Sequence, residues 1–415
     1  MKKMFLFSAM AAGLLTSCVQ TETIAPELTE TEKEIKFQTV VAKQGTRAII
    51  TGVDYDEDCP SFGTYAFHNE SNNNLLPGTG EYITNAEIVH KNDGTTHYWG
   101  PASFSYQWPK QGSLTFYSYS PFYYQEEDNK AIPLSPTVPE IGQYGFRFID
   151  YDVAIHQETD LMVADIQSGQ TANVTHGAPN SLITHTGVKT IFRHKLALIG
   201  GFILSTSEDY DGTWDGININ TAKPGNLRFK ILNITFKNIA TKGTFTSEGI
   251  KGTDASIIPE KWELSSDPGL KDYVWYDSKK AEDDEYKGQE FGHVESKQLH
   301  LYKSESAVVG HRQADPTIDN GYLLAIPQQF LEANDAALEI TYVIENFTNG
   351  SWQVADKPED KITKSVKLYD IHKGTADLGW AANKKIIYKL EFSTQEIRWA
   401  PSIVGWENAD FSVDY

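Results

Sequence analysis

Cysteine is almost missing from this chain, with only Cys18 and Cys59 among 415 residues. Two thiols cannot staple a chain of this length, so stability has to come from buried apolar surface. Long apolar runs are missing too. The run from Met4 to Leu15 is well short of the about 20 helical residues that cross a hydrocarbon core about 30 Å thick, and no later run approaches it. Basic residues are outnumbered, 36 Lys and Arg against 56 Asp and Glu, for a formal charge of −20. Such a surface repels phosphates, so no nucleic-acid partner is expected. There is no Cys-x-x-Cys, no His-x-x-x-His pair, no Gly-x-Ser-x-Gly and no glycine-rich phosphate loop. Structural zinc and the common nucleophile and nucleotide sites therefore have no support. No enzyme activity, metal or cofactor is expected. Two carboxylates about 5–10 Å apart, the requirement for glycoside hydrolysis, leave no mark on sequence spacing.

What is present at the N-terminus is an export pattern. Lys2 and Lys3 precede the short apolar run, which ends in Leu15-Thr16-Ser17-Cys18. A positive start followed by a short apolar segment is what export machinery reads. The four-residue ending resembles the lipobox of bacterial lipoproteins, in which small residues fit the peptidase and the cysteine thiol takes a diacylglycerol. Residues 1–17 then form the signal peptide, and Cys18 attaches to outer-membrane lipid. Residues 19–34 are rich in Thr and Glu and nearly free of large apolar side chains. That composition suits a tether, and sixteen extended residues reach about 50 Å at roughly 3.3 Å each.

Beyond the tether, apolar residues recur with period two and helical periodicity is scarce. Ile35, Phe37, Thr39 and Val41 share one face of a first strand. Within a strand over 189–204, Thr190, Phe192, His194, Leu196 and Leu198 share a face, with Arg193 and Lys195 pointing the other way. Further sets are Leu232, Ile234 and Phe236; Leu338, Ile340, Tyr342 and Ile344; and Ile386, Tyr388, Leu390 and Phe392. Turn-forming stretches such as Asn92-Asp93-Gly94 and Lys223-Pro224-Gly225 separate such segments. The fold class is all-β, built of antiparallel sandwiches. The polar stretch from Gln167 to Thr186 divides the chain into an N-terminal domain, 48–186, and a C-terminal domain, 187–415. The charged segment Ala281-Glu282-Asp283-Asp284-Glu285 is expected to be a solvated loop or short helix.

Several residues invite chemistry. His176, His185 and His194 are spaced by nine, but the first two lie in the polar stretch and His194 lies on an apolar face. A core histidine hydrogen-bonded to a neighbour is the better reading. Asp54, Asp56, Glu57 and Asp58 lack the glycine and terminal glutamate of a calcium loop and fit a solvated turn. Cys59, beside these carboxylates, is a poor candidate thiolate. Trp99, Trp108, Trp214, Trp262 and Trp275 could stack on sugars, although sandwich cores use tryptophan more often. They keep open a surface glycan-binding lipoprotein of a polysaccharide uptake system.

The segments Tyr98-Trp99, Trp108-Pro109, Leu114–Pro121, Asp160–Ala164, Phe192–Leu196, Leu324–Gln328 and Ile403–Trp406 follow one another along the chain. Taken in that order, they resemble the fimbrillins, subunits of the type V pili of Bacteroidia. The resemblance implies two tandem transthyretin-like β-sandwich domains, a cell-surface location, a role in adhesion and assembly with other fimbrial subunits by donor-strand exchange. It leaves room for a host or bacterial surface receptor or glycan as a further partner. It also implies trimming after an arginine, and Arg47-Ala48 is the matching position. Residues 18–47 are then a lipidated tether with a removable first strand. An ordinary loop arginine is the other reading of Arg47. Ala409, Phe411, Val413 and Tyr415 alternate with Asp410, Ser412 and Asp414, a one-faced strand that could serve as the donor or as an edge strand of its own domain. Stalk, tip and anchor subunits share this fold.

Cys18→Ala is expected to abolish incorporation of a fatty-acid analogue in metabolic labelling. Without acyl chains, worth about 0.8 kcal/mol per buried CH₂, nothing would anchor an acidic chain to the bilayer. Unchanged label on the variant would refute the lipobox.

Overall fold

A computed structural model describes residues 34–41, 61–70, 80–92, 97–122, 143–144, 147–155, 160–171, 187–206, 227–251, 257–278, 290–291, 298–301, 323–355, 357–394 and 396–405. Strand is the dominant regular structure of the described residues, and helix is confined to short segments such as Val153–Ile155 and Leu368–His372.

In the first half the strands form a ring. Ser61–Asn69 pairs with Gly80–Asn92, which pairs with His97–Pro101, which pairs with Phe37–Val41. Phe37–Val41 then pairs with Val188–His194, followed by Met162–Ala164 and Ser113–Ser120, and the last of these returns to Ser61–Asn69. Every junction is antiparallel except Phe37–Val41 with Val188–His194, which is parallel. Ile35, Phe37, Phe62, Ile83, Ile88, Trp99, Leu114, Phe116 and Phe192 fill the interior. Thr64 and Ser118, also buried, bond hydroxyl to hydroxyl at 2.8 Å, so each polar group satisfies the other.

In the second half two sheets face each other. One contains Gln298–Leu301, Ala197–Thr206, Lys384–Phe392 and Ile397–Gly405, with Leu323–Ala325 also on Ala197–Thr206. The other runs Lys271–Asp277, Leu227–Ile239 and Ala337–Thr348, with Ser351–Gln353 and Ile362–Lys367 beyond. Phe202 and Tyr388 of the first sheet meet Phe236 of the second at ring-centroid distances of 5.7 and 5.5 Å. This is a packed sandwich core, joined by Phe229, Trp275, Tyr342 and Phe392.

The sets Leu338, Ile340, Tyr342 and Ile386, Tyr388, Leu390, Phe392 are buried as period two predicts, and Ile344 packs against the same core. Two expectations change. Leu232 is only half-buried, because a bulge between Ile231 and Asn233 switches the inward parity from Phe229 and Ile231 to Ile234 and Phe236. The strand expected over 189–204 is two strands, Val188–His194 and Ala197–Thr206, in different sheets. Phe192 faces the ring interior, whereas Leu196 and Leu198 join a third cluster between the halves; Lys195 shares a face with Arg193, as alternation predicts, but is buried.

That third cluster unites Tyr65, Phe67, Tyr117 and Tyr119 with Phe148, Phe245, Leu324 and Ile326. A hairpin of the second half, Lys242–Thr246 with Lys261–Leu264, carries Phe245 and pairs with Arg147–Asp152 of the first.

Beside the sandwich core, His372 ends the short helix Leu368–His372, fully buried. Burial pushes the Tyr388 hydroxyl well above its usual range, so it stays protonated. It accepts from Trp380 Nε1 at 2.8 Å and sits 2.8 Å from His372 Nε2. Burial holds His372 down at about 4. Unfolded histidine takes its proton near 6.5, so the unfolded chain binds more protons between those values. His372 therefore contributes stability that is complete above pH 6.5 and is lost as pH falls toward 4, by at most about 3 kcal/mol. Urea midpoints at pH 7 and pH 4.5 should fall further for the native chain than for His372→Gln; equal losses would refute this linkage.

Candidate functional site: the strand slot of the first half

Ile35 and Phe37 are two residues apart in extended chain and therefore face the same way, into the ring. Each is 1% exposed. Phe37 meets Phe62 and Phe116 edge-on at 5.7 and 5.6 Å, and Trp108 meets Phe116 at 5.9 Å. Lys36 points outward, its ammonium 4.4 Å from the Tyr98 ring. Burying one Ile and one Phe contributes roughly 1.5–3 kcal/mol each as an upper estimate.

The backbone of this segment is held on both sides. Ile35 N donates to Tyr106 O at 2.8 Å, and Glu34 bridges Gln107. Phe37 pairs with Trp99 on one side. On the other, Phe37 through Val41 run in register with Val188 through Phe192. The segment thus occupies a slot between two strands that do not pair with each other. Gly187 permits the close approach. A Cβ there would lie 2.9 Å from the Phe37 carbonyl carbon and 3.0 Å from the Lys36 carbonyl oxygen. Val188 N donates to that same oxygen at 2.8 Å.

Beside the slot, the segments Asp160–Ala164 and Phe192–Leu196 are brought together as antiparallel neighbours. His194, 0% exposed at its side chain, bonds through Nδ1 to Asp160 Oδ2 at 2.5 Å. This is the core histidine expected from its apolar face. Arg193 makes a bidentate pair with Asp165, at 2.6 and 2.8 Å. Lys195 Nζ reaches Glu260 Oε2 of the second half at 2.6 Å, and Trp262 Nε1 donates to Lys195 O at 2.7 Å.

Trp99, Trp108 and Trp275 are buried and Trp262 is half-buried, so these four serve packing rather than an open sugar platform. Cys18, Arg47, Ala48, Cys59, His176, His185 and Trp214 lie outside the described residues, as do the acidic run 54–58, the segment 281–285 and the candidate donor residues Ala409, Phe411, Val413 and Tyr415. Gly187 and the Lys195–Glu260 pair were not anticipated. A glycine placed immediately before an apolar strand was a visible signal for the first. The second joins residues 65 apart and has no local signature.

Gly187→Val should displace the resident strand and lower stability by about 1–3 kcal/mol, the usual range for overpacking. Hydrogen exchange should accelerate first at the amides of residues 35–41. Unchanged protection there would mean that Gly187 does not govern the slot.

No curated protein matches the chain. Among solved structures, a fimbrial protein from Bacteroides vulgatus is 14% identical, with 90% of this chain and 99% of that one covered, at a TM-score of 0.49. A candidate cell adhesion protein from Bacteroides uniformis is 13% identical over 90% and 99% of the two chains, at 0.41. The tip fimbrial protein Mfa3 from Porphyromonas gingivalis, with a C-terminal truncation, is 12% identical over 90% and 100%, at 0.34. The family model described as fimbrillin-like matches residues 46–406, and this chain belongs to that family.

Proposed function

We propose that this protein is a cell-surface fimbrial subunit with a role in adhesion, exported as a lipoprotein through Cys18 and assembled by replacement of the strand Phe37–Val41. Family membership supports the fimbrial part. The observation that carries the assembly part is the slot, where a strand lying before Arg47 in the chain fills a gap between two strands that do not pair with each other.

Cleavage between Arg47 and Ala48 would sever the resident strand from the domain that it completes. Before the cut, its tether holds it at high effective concentration, and a donor of similar apolar content cannot compete. After the cut that advantage is gone. A strand presenting Phe411, Val413 and Tyr415 would contribute at most about 9 kcal/mol by burial, plus ladder hydrogen bonds. The division into tether, N-terminal domain and C-terminal domain is part of this proposal. The polysaccharide-uptake alternative is less favoured, since it relied on tryptophans of which Trp99, Trp108 and Trp275 are buried.

An Arg-specific protease should convert the purified protein to a chain starting at Ala48 and yield polymer ladders on a non-reducing gel. A variant ending at Asn408 should be cut but stay monomeric. Polymerisation of that variant at the full-length rate would exclude the C-terminal segment as donor. Failure to produce the Ala48 terminus would exclude Arg47.

A further inference from the structure

Between the first-half strands and the second-half hairpin lies a cavity of about 370 Å³. It is distinct from the place where Ile35 and Phe37 are buried, and neither of those residues lines it. Its volume falls in the roughly 300–1,000 Å³ range of small-molecule sites, which favour junctions between domains. Its lining includes Asp165, Arg193, Lys195, Glu248 and Glu260, with apolar surface from Ile166 and Pro259.

Lys195 is the unusual member. Its side chain is 5% exposed, and a lysine this deep is rare unless its charge is answered. Among the described residues its ammonium has one hydrogen-bond acceptor, Glu260 Oε2 at 2.6 Å, and one ring, Phe245 at 5.9 Å. An ammonium carries three N–H donors, so donor capacity remains beyond that single bond. Glu248 is exposed, and no described hydrogen bond or ion pair engages its carboxylate. Glu260 is 43% exposed at its side chain and uses one oxygen on Lys195.

The charges around the cavity nearly cancel, with three carboxylates against two cations. An anionic ligand would approach Asp165, Glu248 and Glu260, and a cationic one would approach Arg193 and Lys195. Each would meet like charge in a partly desolvated space, which is unfavourable. A neutral polyhydroxyl compound meets neither problem, since every hydroxyl can donate to a carboxylate and accept from an ammonium or guanidinium. Its C–H faces would lie against the apolar wall. We infer that this cavity is a binding site for a short neutral saccharide, one or two pyranose rings in size. The site would give the subunit a receptor contact independent of its polymerisation.

Saturation-transfer NMR on the folded, unassembled chain tests this with glucose, galactose, mannose, N-acetylglucosamine and lactose, alongside glucuronate and glucosamine as charged probes. At least one neutral sugar should bind saturably with Kd on the order of 1 mM. Both charged probes should bind more weakly. Glu248→Gln, at an exposed position, should weaken the best sugar by about fivefold or more, the loss expected for one charge-assisted hydrogen bond. Lys195→Met should abolish binding; if that variant does not fold, Glu248→Gln decides alone. The assignment is overturned if no neutral sugar saturates, if a charged probe binds tighter than every neutral one, or if the affinity is unchanged in Glu248→Gln. Because the assay uses monomer, its failure leaves the assembly proposal standing, and failure of polymerisation leaves this result unaffected.

Discussion

Ser61–Asn69 and Ser113–Ser120 are buried on both faces, and the arrangement of the halves depends on that double burial. One face of this pair, with Phe62, Ala66, Leu114 and Phe116, lines the ring interior. The other, with Tyr65, Phe67, Tyr117 and Tyr119, packs against Phe148, Phe245, Leu324 and Ile326. A strand with two buried faces needs apolar or aromatic residues at nearly every position, which explains the run Leu114-Thr115-Phe116-Tyr117-Ser118-Tyr119. Tyrosine suits the junction because its ring buries apolar area while its hydroxyl can find a polar partner. Tyr119 does so with Asn85 Oδ1 at 2.6 Å.

The same junction dictates where the chain changes sheet. Val188–His194 completes the ring, Ala197–Thr206 starts the sandwich, and the two residues between them make the joint. Leu196 enters the shared cluster, and Lys195 places its ammonium on Glu260 while its carbonyl receives Trp262 Nε1. A buried lysine adds little net stability, because desolvation offsets most of the Coulombic gain. Its pairing with one partner on the hairpin fixes which groups meet there.

Sequence periodicity read the sandwich well where strands run without interruption. Leu338, Ile340 and Tyr342 are inward because nothing breaks the alternation before them. It failed at Leu232, since a bulge adds one residue and reverses which parity faces the core, and no local residue preference marked that point. It failed again at Leu196 and Leu198, which leave the face of Phe192, because a sheet change is decided by partners far away in sequence. His194 was legible as a core residue from its apolar neighbours, but Asp160, 34 residues earlier, was not legible as its partner. The slot was legible in part. The inward face of Ile35 and Phe37 followed from alternation, whereas the parallel pairing with Val188–His194 and the role of Gly187 required the fold.

Removal of the resident strand from such a structure has unequal consequences. Ile35 and Phe37 belong to the ring interior and to neither the junction cluster nor the sandwich core. Loss of Ile35 and Phe37 therefore leaves those two cores with all their members. The ring interior alone is affected, since Phe62 and Phe116 would lose an edge-on neighbour and His97–Pro101 and Val188–His194 would become open edges. Open edges beside exposed aromatic rings recruit strands from other chains. The loss would be confined to one surface, next to a junction cluster that keeps Tyr65, Tyr117, Phe148 and Phe245. Such confinement would make a vacated slot a directed point of attachment, as the proposed assembly requires, rather than a start of general unfolding.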